Sequence, residues 1–214
     1  LLMGQTFASQ RDLVEALIAE TPQQRAVALY AHDPHVLVAL APQQLFLDPS
    51  HTFRLTLSDA AAWPAHRPGP GWQVRAARPD DEGAINRILT ARQMVPVREG
   101  FLAQAVTQPA LLILVAEETD SGNVLGVVTG VDHVAACDDP DGGSSLWSLA
   151  VDPQCVHPGI GPALVSDLVS RFVQRGLHHL DLSVMHDNAQ AIELYEKMGF
   201  QRVPIFCVKN RNPI

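Results

Sequence analysis

The chain has 214 residues, of which 18% are charged, and a net charge of −8 at neutral pH. This length can bury a complete hydrophobic core and corresponds to about one and a half average domains. The acidic balance argues against a nucleic-acid-binding protein, since such proteins present a basic surface. No apolar run approaches a membrane span, and Leu1-Leu2-Met3 is too short for a signal peptide, so no membrane partner is expected.

Cysteine usage predicts the compartment and argues against a metal centre. Cys137, Cys155 and Cys207 have no spacing that suits a metal site. Their odd number also argues against a disulfide framework. We therefore expect a cytoplasmic protein, kept in a reducing environment, with no bound metal.

Residues 1–59 are predicted to form an amino-terminal extension of one helix and short strands. Ser9 can cap an amphipathic helix that continues to Glu20. Strand-like runs follow at Ala26 to Tyr30, Val36 to Leu40 and Leu45 to Leu47. Prolines and glycines then mark residues 60–71 as a linker. The extension is small, so we expect it to pack on the domain formed by residues 72–214 or on a second subunit.

Strand and helix patterns alternate through residues 72–214. Helical spacing is predicted at Asp80 to Ala91 and at Phe101 to Val106. The predicted strands are Trp72 to Arg75, Leu111 to Glu117, Val124 to Val131, Leu146 to Val151, Leu180 to Met185 and a last one near Val203 to Val208. This order predicts an α/β (α+β) fold, a mixed sheet with helices on both faces.

The loop after Leu146 to Val151 has the features of an anion site. It contains Gly159 and Gly161, and apolar residues then return at helical spacing until Gly176. Glycine lets the backbone approach a ligand closely, and a helix start directs unpaired N–H groups towards it. A pyrophosphate would fit there. An ordinary strand-to-helix turn explains the two glycines equally well.

Tyr195 lies on the last predicted helix, which Asp187 or Asn188 can cap and Gly199 can end. Ala191 follows Asn188 by three positions and Tyr195 follows it by seven, so all three share one stripe of the helix. A ligand along this stripe would meet an amide, a small residue and a phenol. The alternative is that Tyr195 only packs, with its hydroxyl in water.

The two motifs together resemble the acetyl-CoA-dependent N-acetyltransferases of the GNAT superfamily. The resemblance covers roughly Trp72 to Val208 and rests on Gly159-Ile160-Gly161-Pro162-Ala163-Leu164, Asn188, Ala191, Leu194-Tyr195-Glu196-Lys197 and Gly199-Phe200. It implies a GNAT-like, mostly antiparallel sheet and acetyl-CoA as cosubstrate. The cofactor-binding residues that it implies are Leu149, Ala150, Val151, Val156, His157, Gly159, Ile160, Gly161, Pro162, Ala163, Asn188, Ala191 and Tyr195.

The resemblance also implies individual roles. The glycine turn would bind the pyrophosphate, Asn188 and Ala191 would line the pantetheine arm, and Tyr195 would protonate the departing thiolate. The turn departs from the family pattern at Val156, where Arg or Gln is usual, so one side-chain contact to the phosphates is missing. His157 could replace that contact, and an exposed loop histidine is the other reading of this residue.

The acceptor amine must be neutral to attack a thioester, yet the predicted strand Leu146 to Val151 contains no carboxylate base. His186 is slightly favoured as the base, because it precedes the helix of Tyr195 and titrates near neutrality. The other candidates are Asp132, His133 and Asp187. A backbone N–H in Leu149 to Val151 is the candidate donor to the oxyanion. Arg92, Arg98 and His133 are candidates for holding a substrate carboxylate.

A narrower resemblance extends over nearly the whole chain. The runs AINRILTARQMVPV, GSSLWSLAVDPQ and LDLSVMHDNAQAIELYEKMGFQRVP are similar to the transferase part of bacterial N-acetylglutaminylglutamine synthetases. Those proteins fuse a GNAT domain to an ATP-grasp ligase and serve osmoprotection. The resemblance implies a small-molecule acceptor, the α-amine of glutamine or of a glutaminyl dipeptide. It also implies an ATP-grasp module as partner, with a homodimer as the alternative assembly.

Different function classes remain open at this point. The first is an active N-acetyltransferase, indicated by the glycine turn and Tyr195. The second is a CoA-binding regulatory or scaffolding module, indicated by Val156 and the missing carboxylate base. A partner domain that has lost the cofactor is the third.

Overall fold

The computed structural model describes residues 2–21, 27–31, 33–58 and 66–211. Its helices are α1 (Gln10–Ile18), α2 (Pro34–Leu40), α3 (Glu82–Ala91), α4 (Phe101–Ala105), α5 (His133–Cys137), α6 (Ile160–Gln174) and α7 (Ala189–Lys197). Its strands are β1 (Leu2–Met3), β2 (Val27–Leu29), β3 (Leu45–Leu47), β4 (Ser50–Thr56), β5 (Trp72–Ala76), β6 (Leu111–Glu118), β7 (Val124–Asp132), β8 (Gly143–Val151), β9 (His179–Met185), β10 (Gln201–Val203) and β11 (Val208–Asn210). No helix within these ranges is both long and apolar enough to cross a bilayer.

The chain forms two compact units, each built from segments that are distant in sequence. The larger unit contains Arg54–Leu182 and Leu194–Phe200. The smaller unit contains Leu1–Phe53, Ser183–Glu193 and Gln201–Ile214. The division into 1–59, 60–71 and 72–214 stays a prediction, and residues 60–65 of the predicted linker lie outside the described residues.

The sheet of the larger unit has the strand order β4-β9-β8-β7-β6-β5. Neighbours from β5 to β8 are antiparallel, whereas β8 and β9 are parallel. Arg54 binds Asp181, and the Leu57 N–H donates to the His178 carbonyl, so β4 runs antiparallel to β9. The predicted mixed, mostly antiparallel sheet is confirmed.

Helices cover both faces of this sheet because successive strand residues point to opposite sides. Ile113 and Val115 of β6 and Val127 of β7 pack in one cluster with residues of α3 and α4. On β7, Gly126 faces the other way, where an added Cβ would lie 3.0 Å from the Ile160 Cγ2 of α6. The predicted helices on both faces are therefore present.

The smaller unit contains a second sheet, in the order β1-β2-β11-β3. Its hydrophobic cluster comes from α1, α2, β3 and β11, namely Leu13, Val14, Leu17, Leu37, Ala41, Leu45 and Val208. The Ser9 hydroxyl accepts a hydrogen bond from the Asp12 N–H at 3.2 Å, which confirms the predicted cap of α1.

Three strand predictions need correction. The run Val36 to Leu40 is not a strand but belongs to α2, because Pro34 fits the first helical turn and a continuous apolar run has no strand-specific period. The single strand predicted near Val203 to Val208 is two strands, β10 and β11, since Pro204 has no N–H for a ladder. Strand β4 was not predicted, although Phe53 and Leu55 show the period of two.

Close approach between α6 and β7 depends on Gly130. A Cβ added there would lie 2.5 Å from Leu168 Cδ1 and 2.7 Å from Phe172 Cζ, and both side chains are fully buried. We expect Gly130→Ala to lower the free energy of unfolding by about 1–3 kcal/mol, the usual cost of overpacking. Thermal and urea unfolding followed by circular dichroism measure this change.

Gly83 of α3 provides the matched control. An added Cβ at Gly83 meets no atom within 4 Å. Gly83→Ala should leave stability unchanged or raise it, because alanine favours the helix. Equal effects of the two substitutions would contradict the packing argument.

Candidate cofactor site and active site

The turn before α6 is open and presents backbone donors. Gly159 has φ +81° and precedes the helix, and a Cβ there would meet nothing within 4 Å. The N–H groups of Ile160 and Gly161 belong to the first helical turn and have no intrahelical acceptor. Pro162 has no N–H, and the Ala163 N–H already donates to the Gly159 carbonyl at 3.0 Å. Two amides at the positive end of a 15-residue helix thus suit a pyrophosphate.

Val156 and His157 differ in what they can add to this turn. Val156 is 87% exposed and has no polar side-chain atom. The His157 Nε2 lies 3.3 Å from the Glu118 Oε1, so a partner on β6 holds this histidine. His157 is therefore not a free loop side chain, and its predicted contact with phosphate stays a prediction.

The second half of β8 has backbone groups that face away from β7. The pairing of β8 with β9 runs from Gly143 to Leu146 within the described residues. Beyond it, the Asp152 N–H donates to the Leu125 carbonyl of β7 at 2.8 Å. By the alternation of an antiparallel ladder, the N–H groups of Leu149 and Val151 point to the opposite side. These two N–H groups fit the predicted role of oxyanion donor, whereas the side chain of Ala150 packs beside α3 and α4.

Arg92 contacts the same edge of β8. Its Nε donates to the Val151 carbonyl at 2.6 Å, a contact that sequence spacing did not indicate. The neighbouring Asp152 accepts from Arg87 at 2.5 Å. Burial raises the pKa of Asp152, but hydrogen bonds from the Gln154 N–H and from Arg87 outweigh it and lower the pKa. Asp152 therefore stays ionised and ties α3 to the end of β8.

Tyr195 is buried near the carboxyl end of α7. Its side chain is 7% exposed, and its ring meets the Phe200 ring edge-on at a centroid distance of 5.7 Å. Burial raises the pKa of its phenol to about 12. The hydroxyl is therefore protonated at neutral pH and can donate a proton. Tyr195 is thus more buried than the half-buried packing residue of the alternative reading, and its role as proton donor stays a prediction.

Asn188 begins α7. Its Oδ1 accepts a hydrogen bond from the Ala191 N–H at 3.2 Å, so Asn188 rather than Asp187 caps the helix. The side chain is exposed and its amide nitrogen remains able to donate to a ligand. Its predicted contact with a pantetheine arm, like that of Ala191, stays a prediction.

Two of the candidate bases have structural roles. His133 is fully buried, and its Nε2 lies 2.7 Å from the Ser145 Oγ. Burial lowers its pKa to about 4, although the negative charge of Asp139 acts to raise it. Asp132 caps α5 by accepting from the Ala135 N–H and pairs with Arg175 at 3.1 Å. Both side chains are therefore engaged within the fold, and His133 has no exposed surface with which to reach a substrate carboxylate.

The role of His186 as the base stays a prediction. It is exposed at the end of β9, and its ring centroid lies 6.4 Å from that of His51 on β4. Desolvation is the main cause that lowers the pKa of His51, and the charges of Arg202 and His186 lower it further. No local pattern indicates that His51 lies beside His186, because the two residues are 135 positions apart.

No group of three or more His, Cys, Asp or Glu side chains in the described ranges could hold a metal ion.

Residues 79–200, more than half of the chain, match the model of the Acetyltransferase (GNAT) family. The chain therefore belongs to the GNAT acetyltransferase family.

Curated relatives include two kinds of enzyme. The chain is 34% identical to mycothiol acetyltransferase of Kocuria rhizophila over 105 residues, covering 49% of this chain and 33% of that protein. It is 40% identical to the [ribosomal protein bS18]-alanine N-acetyltransferase of Escherichia coli K12 over 62 residues, or 29% of this chain and 42% of that enzyme. The chain thus spans less than half of the length of either relative.

Solved structures share the fold at low sequence identity. A GCN5-related N-acetyltransferase from Sphaerobacter thermophilus has a TM-score of 0.58 at 20% identity, covering 95% of this chain and 64% of that one. A tandem GNAT protein from the clavulanic acid biosynthesis pathway has a TM-score of 0.61 at 13% identity, covering 88% and 64%. These likenesses support the fold class alone.

The turn before α6 can be tested by adding a side chain at Gly159. We expect Gly159→Ala to weaken the binding of CoA at least about fivefold, because a positive φ costs a residue with a Cβ about 1–2 kcal/mol and would shift the two amides. Isothermal titration calorimetry with CoA measures the change. Gly122→Ala is the control, since Gly122 has φ +74° and an equally open Cβ position in the β6–β7 turn. Equal losses in both variants would contradict the assignment.

Acid should destabilise the protein through His133. Its folded pKa of about 4 lies below the ordinary 6.5, so the unfolded chain binds more protons between these values. The free energy of unfolding should fall as the pH drops from 6.5 to 4, by at most about 3 kcal/mol. Urea unfolding across this range measures the slope. His133→Gln should flatten it, and an unchanged slope in this variant would assign the acid sensitivity to other groups.

Proposed function

We propose that the chain transfers an acetyl group from acetyl-CoA to a primary amine. Membership of the GNAT family supports acetyl-CoA as the donor. The names of the relatives, an alanine N-acetyltransferase and a mycothiol acetyltransferase, support an amine or a related small acceptor. The open turn at Gly159, with the Ile160 and Gly161 amides, fits the pyrophosphate of the donor.

The observation that carries the proposal is the state of Tyr195. A phenol with a pKa of about 12 is protonated at neutral pH, and the Tyr195 side chain is almost fully buried. Attack by the amine forms the N–C bond and a tetrahedral oxyanion, from which the C–S bond then breaks to leave a thiolate. Tyr195 would supply the proton that this sulfur takes, while the Leu149 or Val151 N–H would stabilise the oxygen charge before the bond breaks.

The proton of the attacking amine needs an acceptor as well. We assign this role to His186, which is exposed and has a second imidazole, His51, beside it. Imidazole exchanges protons near neutral pH and can pass one on to water. A strong base is unnecessary, since an α-amine titrates near 8 and is partly neutral at physiological pH.

The narrower proposal names the acceptor as the α-amine of glutamine or of a glutaminyl dipeptide. It is supported by the sequence resemblance to the transferase part of N-acetylglutaminylglutamine synthetases, found in runs such as GSSLWSLAVDPQ. An ATP-grasp ligase partner or a homodimer, a cytoplasmic location and a role in osmoprotection belong to the same proposal.

Two observations favour a second function, a non-catalytic acyl-CoA-binding regulatory or scaffolding domain. Val156 is 87% exposed and adds no cation to the turn. Strand β8 also has no carboxylate to act as base. Such a domain would bind acetyl-CoA without consuming it.

Tyr195→Phe tests the proposed enzyme. We expect kcat for acetyl transfer to fall about 10²–10⁴-fold, the usual worth of a general acid, while CoA affinity stays unchanged. Release of free CoA from acetyl-CoA, measured with L-glutamine, glutaminyl dipeptides and a panel of other primary amines, gives the rate. Tyr30→Phe removes the same oxygen from the second tyrosine of the chain and should keep full activity.

The same assay separates the two functions. Tight acetyl-CoA binding with background CoA release for every amine would identify the non-catalytic domain. Turnover with other amines but none with glutamine or its dipeptides would sink the narrower acceptor proposal only. Full activity in Tyr195→Phe would refute the role of the phenol.

A further inference from the structure

A cavity of the smaller unit lies outside the residues predicted from the family resemblance. Its volume is about 320 Å³, at the lower end of the range for small-molecule sites. Its lining comes from two stretches, Ser50 to Thr52 of β4 and Arg202 to Phe206 at β10. The question is which ligand this lining would recognise.

Arg202 supplies a positive charge to the cavity. It is exposed and has no carboxylate partner among the described residues. Several other cations of the described residues are paired with carboxylates, for example Arg54 with Asp181 and Lys209 with Asp48. A guanidinium binds carboxylates and phosphates with two parallel hydrogen bonds. An unpaired arginine at a cavity wall therefore indicates an anionic group in the ligand.

Thr52 supplies an independent observation. Its side chain is 3% exposed, and its Oγ1 has no hydrogen-bond partner in the described part of the chain. A buried hydroxyl without a partner costs about 1–3 kcal/mol, so such groups are rare without a reason. Because Thr52 lines the cavity, a ligand oxygen could satisfy this hydroxyl.

The remaining lining sets the size and polarity of the ligand. Val203, Pro204, Ile205 and Phe206 are apolar, and Phe206 is 43% exposed. His51 stays uncharged at neutral pH because desolvation and Arg202 lower its pKa. Arg202 is thus the cation of the cavity, and the apolar wall suits a short aliphatic chain better than a nucleotide.

We propose that this cavity binds a small carboxylate of the amino-acid or short-peptide type. Arg202 pairs with its carboxylate, the Thr52 hydroxyl donates to one of its oxygens, and Ile205 and Phe206 pack on its aliphatic part. The ligand is either the acetyl acceptor of the proposed function or a separate regulatory molecule of the same chemistry.

Binding without acetyl-CoA tests this site separately from catalysis. The probes are L-glutamine and L-leucine, each compared by isothermal titration calorimetry with its carboxamide, in which the charge is lost. At least one acid should bind saturably, and its amide should bind about tenfold more weakly or worse. Absence of binding by both acids, or equal binding of acid and amide, would overturn the proposal.

Charge variants locate the binding. Arg202→Gln should weaken the affinity for the acid at least about tenfold. Arg11→Gln, which removes an exposed cation of α1, should bind as the parent chain does. Equal affinity in Arg202→Gln and the parent would overturn the site. A loss of affinity for CoA alone in Arg202→Gln would also overturn the site, because Arg202 would then bind a phosphate of CoA.

Thr52 variants distinguish a ligand contact from a structural role. Thr52→Val keeps the shape of the side chain and removes the hydroxyl. It should therefore weaken the affinity for the acid severalfold without lowering the melting temperature. Thr52→Ser keeps the hydroxyl and should bind nearly as the parent does. A lower melting temperature with unchanged affinity in Thr52→Val would show that the hydroxyl serves the fold and would overturn its role.

A transfer assay then assigns the ligand. A raised KM for the bound acid in Arg202→Gln, with kcat retained, would support the site and make that acid the acceptor. An unchanged KM alongside the lost binding would support the site and make the acid a separate ligand. Failure of the proposed function would appear only as absent CoA release and would leave the binding measurements intact.

Discussion

The fit of α6 against β7 is the constraint on which the larger unit depends. Gly126 and Gly130 lie on the strand face towards α6, and the space beside them is filled by Leu164, Leu168 and Phe172. Two missing side chains thus let the helix lie close to the sheet. Because α6 is rigid along its 15 residues, this packing also fixes where its amino terminus lies.

The proposed donor site follows from that placement. Gly161 lies close to β8, since a Cβ there would meet the Val151 Cγ2 at 3.8 Å. The amides of α6 and the outward N–H groups of β8 are therefore held by the same packed core rather than by a mobile loop. A site on such rigid elements keeps its donors in place before a ligand arrives, which limits the entropy lost on binding.

Buried polar groups of the larger unit serve stability more than chemistry. Arg75 pairs with both Asp81 and Glu117, and these bonds raise the pKa of its guanidinium. His133 and Asp132 are used in the same way, around α5. By contrast, Arg202 and Thr52 of the smaller unit have no such partners in the described ranges. That contrast between paired and unpaired polar groups separates structural residues from candidate ligand contacts.

Features whose signals lie within a few residues could be predicted from the amino-acid sequence. The Ser9 cap, the glycine start of α6, the apolar run of β6 and the alternation of β9 were all predictable, because capping and residue patterns are local. The family could be identified for the same reason, since Gly159 to Leu164 and Asn188 to Phe200 are continuous motifs. Val36 to Leu40 was wrongly predicted as a strand, because a continuous apolar run fits both the period of a strand and the period of a helix.

Features that depend on distant residues became visible only in the folded chain. The burial that raises the pKa of Tyr195, the seating of His133 against Ser145 and the meeting of His51 with His186 need chain segments that are remote in sequence. Solvent exclusion and pairing are properties of the packed chain, so no local pattern reports them. For that reason the proposed donor turn was visible in the sequence, whereas the cavity around Arg202 and Thr52 was not.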